Sequence, residues 1–335
     1  MNMPEKALNI GKYSVYPFKI YNKKGEIFLK KRRLITALSA SMLLLGMASQ
    51  ASAEANDKEI KIFVDGKAVR FDDVQPSKVN NVIMVPIRNI QTYLDTEVKW
   101  DNQTKQITSI KKGDNQETKV VYNLNSNYIY HEFTYGPNKI TEVEKIDSPI
   151  EQNNNRSLVP LLAATETLGY VVDWDKENDT IRITTNEDIQ PVQNKNQYKF
   201  YGDYAKVNSN ELDIFYLTNK EREKAGVTPL AYDTDNGEVA RAKSQDMHDK
   251  EYFAHESPTY GSPFDMMDKF NVHYKSAGEN IAAGFKTPEE TVSGWMNSET
   301  HKENILREEF NRMGVGYYEG NNKYKRYYTQ IFSSN

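Results

Sequence analysis

The chain has no cysteine. That absence excludes disulfides, iron–sulfur clusters, thiolate zinc sites, a cysteine nucleophile and a lipoprotein anchor, so the fold must hold by packing alone. Histidine is scarce too, five in 335 residues, which restricts where imidazole chemistry can sit. There is one long apolar run, Leu34 to Met47; it is too short for a comfortable membrane span, and no stop-transfer pattern follows it. No sortase-like motif is visible before the final Phe332-Ser333-Ser334-Asn335, so retention at a cell surface is expected to be non-covalent.

The apolar run has the flanks of a signal peptide. Lys30-Lys31-Arg32-Arg33 precede it and Ala51-Ser52-Ala53 follow it as a small-x-small site, which predicts export and cleavage after Ala53. Lys24-Gly25-Glu26 is a sequence that a purine-rich ribosome-binding stretch would encode, and Leu29 is the expected translation start. Residues 1–53 hold nine Lys and Arg against two Asp and Glu, so the mature chain carries a formal net charge of −11 rather than −4. Such an acidic protein is not expected to bind nucleic acid or anionic lipid without sequence preference. Anionic wall polymers would be repelled as well, unless a local site or a divalent cation intervened. No transmembrane segment is expected in the mature chain.

Residues 54–186 contain an internal repeat. Met84-Val85-Pro86-Ile87 matches Leu158-Val159-Pro160-Leu161, Trp100-Asp101 matches Trp174-Asp175, and Ile107 matches Ile181, all offset by 74 residues. Each copy reads as a strand entering Val-Pro, a short amphipathic helix (Ile87 to Leu94; Leu161 to Leu168), a tryptophan strand, a turn and a closing strand. The expected unit is α+β, antiparallel strands on short helices. These residues resemble the copper amine oxidase N-terminal (stalk) domain family over 58–186. The resemblance does not bring copper: the region has one histidine, His131, and copper needs imidazole or thiolate ligands. A spacer or envelope-binding module is the reading adopted. Residues 187–207 are polar, with Pro191 and several Asn and Gln, and read as a linker.

From 208 to 335 the pattern changes to alternating helices and strands. A helix capped by Ser209 and ending at Gly226, a second from Thr234 to Asp249, a third from Pro263 to Phe270, one opened by the Thr287-Pro288-Glu289-Glu290 capping box, and a last from His301 to Leu306 capped by Ser298 are predicted. Met313 to Tyr318 and Tyr324 to Phe332 form a hairpin across Gly320-Asn321-Asn322. An α-β-α sandwich is expected. The tyrosines of the hairpin (Tyr317, Tyr318, Tyr324, Tyr327, Tyr328) read as strand packing rather than a carbohydrate face.

Three signatures here resemble the CAP superfamily (cysteine-rich secretory protein, antigen 5, pathogenesis-related) in its bacterial SCP-like form. They are Phe253-Ala254-His255 through Pro263-Phe264, Ala277-Gly278-Glu279-Asn280-Ile281-Ala282, and Trp295-Met296-Asn297-Ser298-Glu299-Thr300-His301 through Leu306. Asn219 and Arg222 match its first helix; Gly314 to Tyr317 and Tyr328 to Phe332 match its closing strands. The resemblance covers 209–335 and implies a cleft centred on His255, Glu279 and His301, with Glu299 as candidate second acid. His248 and His273 read as ordinary structural histidines.

Three functions suit that cleft. It could belong to a non-catalytic envelope module binding a wall component or an envelope protein, with the stalk-like domain as adaptor. His255, His301 and Glu279 could ligate a divalent metal such as zinc and activate water for hydrolysis of peptide or peptidoglycan, or act without metal as an oriented base. The cleft could also hold a lipid or other apolar ligand. Ser257 and Ser298 lie in no Gly-x-Ser-x-Gly elbow, so a serine triad is not expected. The first reading is preferred, because the fold does not assign chemistry. Oligomeric state is left open.

Overall fold

The computed structural model describes residues 59–113, 115–185 and 197–335, together with a short antiparallel pair, β1 (Asn9–Ile10) and β2 (Tyr13–Ser14), in a separate N-terminal unit that ends at Lys58. The expected signal peptide, its cleavage after Ala53 and the start at Leu29 lie outside the described residues, as does the first half of the predicted linker.

Chain order after Lys58 begins β3 (Lys61–Val64), β4 (Lys67–Ala68), β5 (Ser77–Val79), β6 (Val82–Pro86), α1 (Ile87–Gln91), β7 (Glu97–Asp101) and β8 (Gln106–Lys112). A three-strand meander follows, β9 (Gln116–Asn123), β10 (Tyr128–Tyr135) and β11 (Asn138–Lys145). The second copy of the repeat is then β12 (Glu151–Asn153), β13 (Arg156–Pro160), α2 (Leu161–Thr165), β14 (Tyr170–Asp175) and β15 (Thr180–Thr185). Helices α1 and α2 are shorter than the sequence suggests; after α2 the chain tightens into a 3-10 turn, Glu166–Leu168, and leaves through left-handed Gly169. Strands β6 and β13 pair antiparallel with Val85 opposite Val159. Residues 74 apart facing each other across an antiparallel ladder define a local two-fold relation between the copies. The hydrophobic residues of both copies, among them Val85, Val159, Ile90, Ala164, Ile107 and Ile181, form one core.

The predicted linker is in part a strand. β16 (Gln197–Tyr201) buries Tyr198 and Phe200 on one face and leaves Lys199 exposed. It pairs antiparallel with β11 and parallel with β17 (Ala231–Asp233). Polar composition suggested a tether, but alternation of aromatic and polar residues suits a half-buried strand.

The C-terminal half runs α3 (Ser209–Ala225), β17, α4 (Thr234–Asp249), α5 (Pro263–Lys269), β18 (Ser276–Ala283), α6 (Pro288–Met296), α7 (Glu299–Leu306), β19 (Arg312–Glu319) and β20 (Arg326–Ser334). Asn208, not Ser209, caps α3, in a reciprocal box with Glu211. The alternation of β20 splits the layers. Tyr328 and Phe332 join α3, α6 and α7 through Phe215, Trp295 and Ile305, while Tyr327 and Ile331 meet Met247 and Val239 of α4 on the opposite face. The α-β-α sandwich is therefore present, and Tyr327 and Tyr328 are packing residues, each 1% exposed. Because β16 pairs with both β11 and β17, a ten-stranded sheet runs β18-β20-β19-β17-β16-β11-β10-β9-β8-β7 through both halves. Its edge strand β18 carries Glu279.

Candidate functional site

His255 lies on the loop between α4 and α5, and α4 sets that loop's shape. Lys243 and Asp246 are buried on this helix. The Lys243 ammonium donates to the backbone carbonyl of His255 at 2.6 Å and to the Tyr252 hydroxyl at 3.2 Å. The Asp246 carboxylate accepts from the hydroxyls of Ser257 (2.7 Å), Thr259 (2.5 Å) and Tyr252 (2.7 Å). Burial pushes the Asp246 carboxyl up, but these hydrogen bonds and the Lys243 charge hold it below the ordinary value. Burial lowers Lys243, opposed by the charges of Glu279, Asp246 and Glu256. Neither residue was singled out from sequence. A lysine and an aspartate three apart inside an otherwise polar helix are a weak signal, since most such pairs are solvated.

Glu279 points toward α4 from β18, and its neighbour Asn280 points the other way, toward α7. Glu279 Oε1 accepts from His255 Nδ1 at 2.7 Å. The carboxylate side chain is 2% exposed and the imidazole 54%, so a buried acid holds a solvent-facing ring. With Nδ1 carrying the shared proton, Nε2 is the atom presented outward. Glu279 Oε2 is buried without a hydrogen-bond partner.

His301 is held from the other layer. Ser298 occupies the position that should cap α7, yet its hydroxyl makes no cap bond. It lies 2.7 Å from His301 Nδ1 instead, which leaves Nε2 of this ring free as well. Asn280 Nδ2 donates to the His301 carbonyl at 3.1 Å, and Asn304 Nδ2 donates to the Glu279 carbonyl at 3.2 Å and to Asn280 Oδ1 at 3.0 Å. Amides thus lock α7 to the edge strand. Burial, and then the charge of His255, hold the His301 imidazole below the ordinary histidine value. The two imidazoles therefore flank the sheet edge, each held by its own layer.

Of the predicted residues, His255, Glu279 and His301 are brought to this edge. Glu299 is exposed in the first turn of α7 and has no hydrogen bond or ion pair to the other three; a carboxylate there complements the helix dipole. His248 packs at a tilt against Tyr318 and bonds Asp249, and His273 is exposed, so neither joins the site.

Among the described residues no three His, Asp or Glu side chains are grouped so as to hold a metal ion. Glu279 spends one oxygen on His255 and buries the other, which makes it a buttress for an imidazole rather than a third ligand. A serine triad is not formed either. Ser257 is 3% exposed and its hydroxyl goes to Asp246. The hydroxyl–imidazole pair is Ser298–His301, whereas the imidazole–carboxylate pair is His255–Glu279, and a relay needs both on one ring.

Residues 215–332 match the family described as the cysteine-rich secretory protein family. This C-terminal region is a CAP domain. Residues 63–183 and 139–212 match the copper amine oxidase N-terminal domain, and that match runs across β16. The chain is similar to the uncharacterized protein YkwD of Bacillus subtilis, 58% identical over 115 residues, which is 34% of this chain and 45% of that protein. It is also similar to the uncharacterized membrane protein YlbC of the same organism, 38% identical over 124 residues, 37% of this chain and 34% of that protein. The chain thus spans less than half the length of these curated relatives. An extracellular protein containing a SCP domain from Bacillus anthracis is 21% identical, with a TM-score of 0.35, covering 79% of this chain and 98% of its own. A cysteine-rich secretory protein from Staphylococcus aureus is 13% identical at a TM-score of 0.33, covering 77% and 93%. Among the described residues no helix is long and apolar enough to cross a membrane.

Proposed function

We propose that the protein is a binding module of the bacterial cell envelope, in which the CAP cleft around His255 and His301 receives a wall component or an envelope protein and the stalk-like half holds that cleft at a fixed orientation. The division of labour between the two histidines carries this reading. Each ring is held through Nδ1 by its own partner, while the hydroxyl and the carboxylate serve different rings, an arrangement suited to orienting polar contacts rather than to activating a nucleophile.

The test is sedimentation of the full chain with purified cell walls, beside the His255→Ala/His301→Ala double variant. Retention on walls that the double variant weakens at least tenfold, with no release of wall fragments, is the expected result. Failure to bind walls, or fragment release that the double variant abolishes, would overturn it. A second reading, metal-dependent hydrolysis, is favoured by the two free Nε2 atoms, which could hold a divalent ion between them with Glu279 fixing the tautomer of His255. Calorimetric titration with zinc separates the two: micromolar or tighter binding lost in the double variant supports the second.

A further inference from the structure

The duplication in the stalk-like half builds two reciprocal grooves, each using both copies. One is walled by Pro160, Leu161, Val172, Trp174 and Ile181 of the second copy and closed by Asn81 and Val82 of the first. The other is walled by Pro86, Ile87, Val98, Trp100 and Ile107 of the first copy and closed by Asn155 and Arg156 of the second. Every one of these positions corresponds to its counterpart at the 74-residue offset, as the two-fold pairing of Val85 with Val159 requires. Their volumes are about 430 and 590 Å³, within the range of small-ligand sites.

The grooves share their aromatic wall and differ in charge. Where the Trp174 groove has Leu162 and Val82, the Trp100 groove has Arg88 and Arg156. Lys105 adds a third cation over the Trp100 ring, 6.0 Å from its centroid, and no Asp or Glu lines this groove. The Trp174 groove is lined instead by Glu144, Asp147 and Glu166 beside Lys145; burial, then the charge of Glu144, raises Glu166. Arg156 gives its Nε to Asp73 at 2.7 Å, and Arg88 has no ion pair among the described residues. Asn102, Asn125, Gln152 and Asn155 supply amides around the Trp100 groove. A cationic pocket in a chain of negative net charge concentrates anions where the rest of the surface repels them.

We infer that the Trp100 groove is a binding site for an acidic saccharide. The aliphatic face of a sugar ring packs on the indole, its hydroxyls meet donors and acceptors on the amides, and its carboxylate is taken by the guanidinium groups, whose fork matches it. This site rests on the stalk-like half alone and stands or falls independently of the CAP cleft.

The chain has three tryptophans, Trp100, Trp174 and Trp295, so indole N–H signals of the ¹⁵N-tryptophan-labelled full chain report each place separately. Titration with trigalacturonate should move the Trp100 signal and leave Trp174 and Trp295 in place. The neutral methyl ester should bind at least tenfold more weakly. Arg88→Leu, which installs the residue of the equivalent position, should weaken binding by a similar factor without altering the thermal transition, and Arg88→Leu/Arg156→Val should abolish it. No movement of Trp100 at millimolar saccharide would overturn the proposal. So would equal binding of the ester, equal binding by Arg88→Leu, or equal binding of hexaglutamate in place of the saccharide.

Discussion

His301 illustrates how one residue's environment becomes a measurable property of the whole. Its imidazole is depressed by burial and by His255, so the unfolded chain takes up a proton at higher pH than the folded one. Stability from this residue is fully present above the ordinary histidine value of about 6.5 and falls as pH drops through it, levelling off below the depressed folded value. Titration of the His301 ring signal by NMR should place its midpoint below that of a histidine in a denatured peptide. In His255→Gln the midpoint should rise, because one of its two causes is gone, and the loss of stability between pH 7 and pH 5 should shrink. An unchanged midpoint in that variant would mean that the two rings do not interact. Lys243 makes the complementary point: a buried cation far from the signature motifs fixes the backbone that presents His255.

At the scale of elements, the site depends on how closely helices approach the sheet. Gly316 of β19 faces α4, and a Cβ there would stand 2.1 Å from the backbone carbon of Ala240 and 2.2 Å from the nitrogen of Arg241. Backbone cannot yield as a side-chain end can, so Gly316→Ala must push α4 off the sheet, at an expected cost of about 3 kcal/mol in denaturant unfolding. Lys243 and Asp246 ride on the same helix, so the His255 ring signal should shift in this variant although residue 316 lies in another strand. On the opposite layer Arg222 of α3 is 0% exposed and donates to the carbonyls of Thr228, Ile305, Arg307 and Phe310. It closes the open end of α7. Burial brings it down to about 10, still charged at neutral pH. Arg222→Met should remove all four bonds and leave buried carbonyls unpaired, lowering stability by about 3 kcal/mol or more.

For the whole molecule the decisive feature is the sheet that passes through both halves. With β16 hydrogen-bonded to β11 on one side and β17 on the other, the stalk-like half and the CAP domain should unfold in one calorimetric transition. Lys199 is exposed within β16, so Lys199→Pro disrupts a strand paired on both sides with little side-chain cost. That variant should split the transition in two. A wild-type chain already showing two separated transitions would rule out mechanical continuity, and with it a fixed orientation of the cleft relative to the Trp100 groove.

The sequence by itself determined the two halves, the 74-residue duplication, most helix boundaries of the CAP domain and three of the four candidate residues that meet at the sheet edge. It could do so because hydrophobic periodicity, caps and signature motifs are local or repeated patterns. Thr234–Asp249 appears as α4 with both ends as expected, since Asp233 and the apolar spacing act within one turn. What only the tertiary structure decided were matters of partnership. Whether Ser298 caps a helix or holds His301, whether Glu279 faces a ligand or buttresses His255, and whether residues 197–201 tether or pair depend on atoms brought close from distant segments. The same holds for the two grooves. The repeat can be read along the chain, but the placing of Arg156 beside Trp100 follows from the antiparallel pairing of β6 with β13, which turns one copy to close the other's pocket.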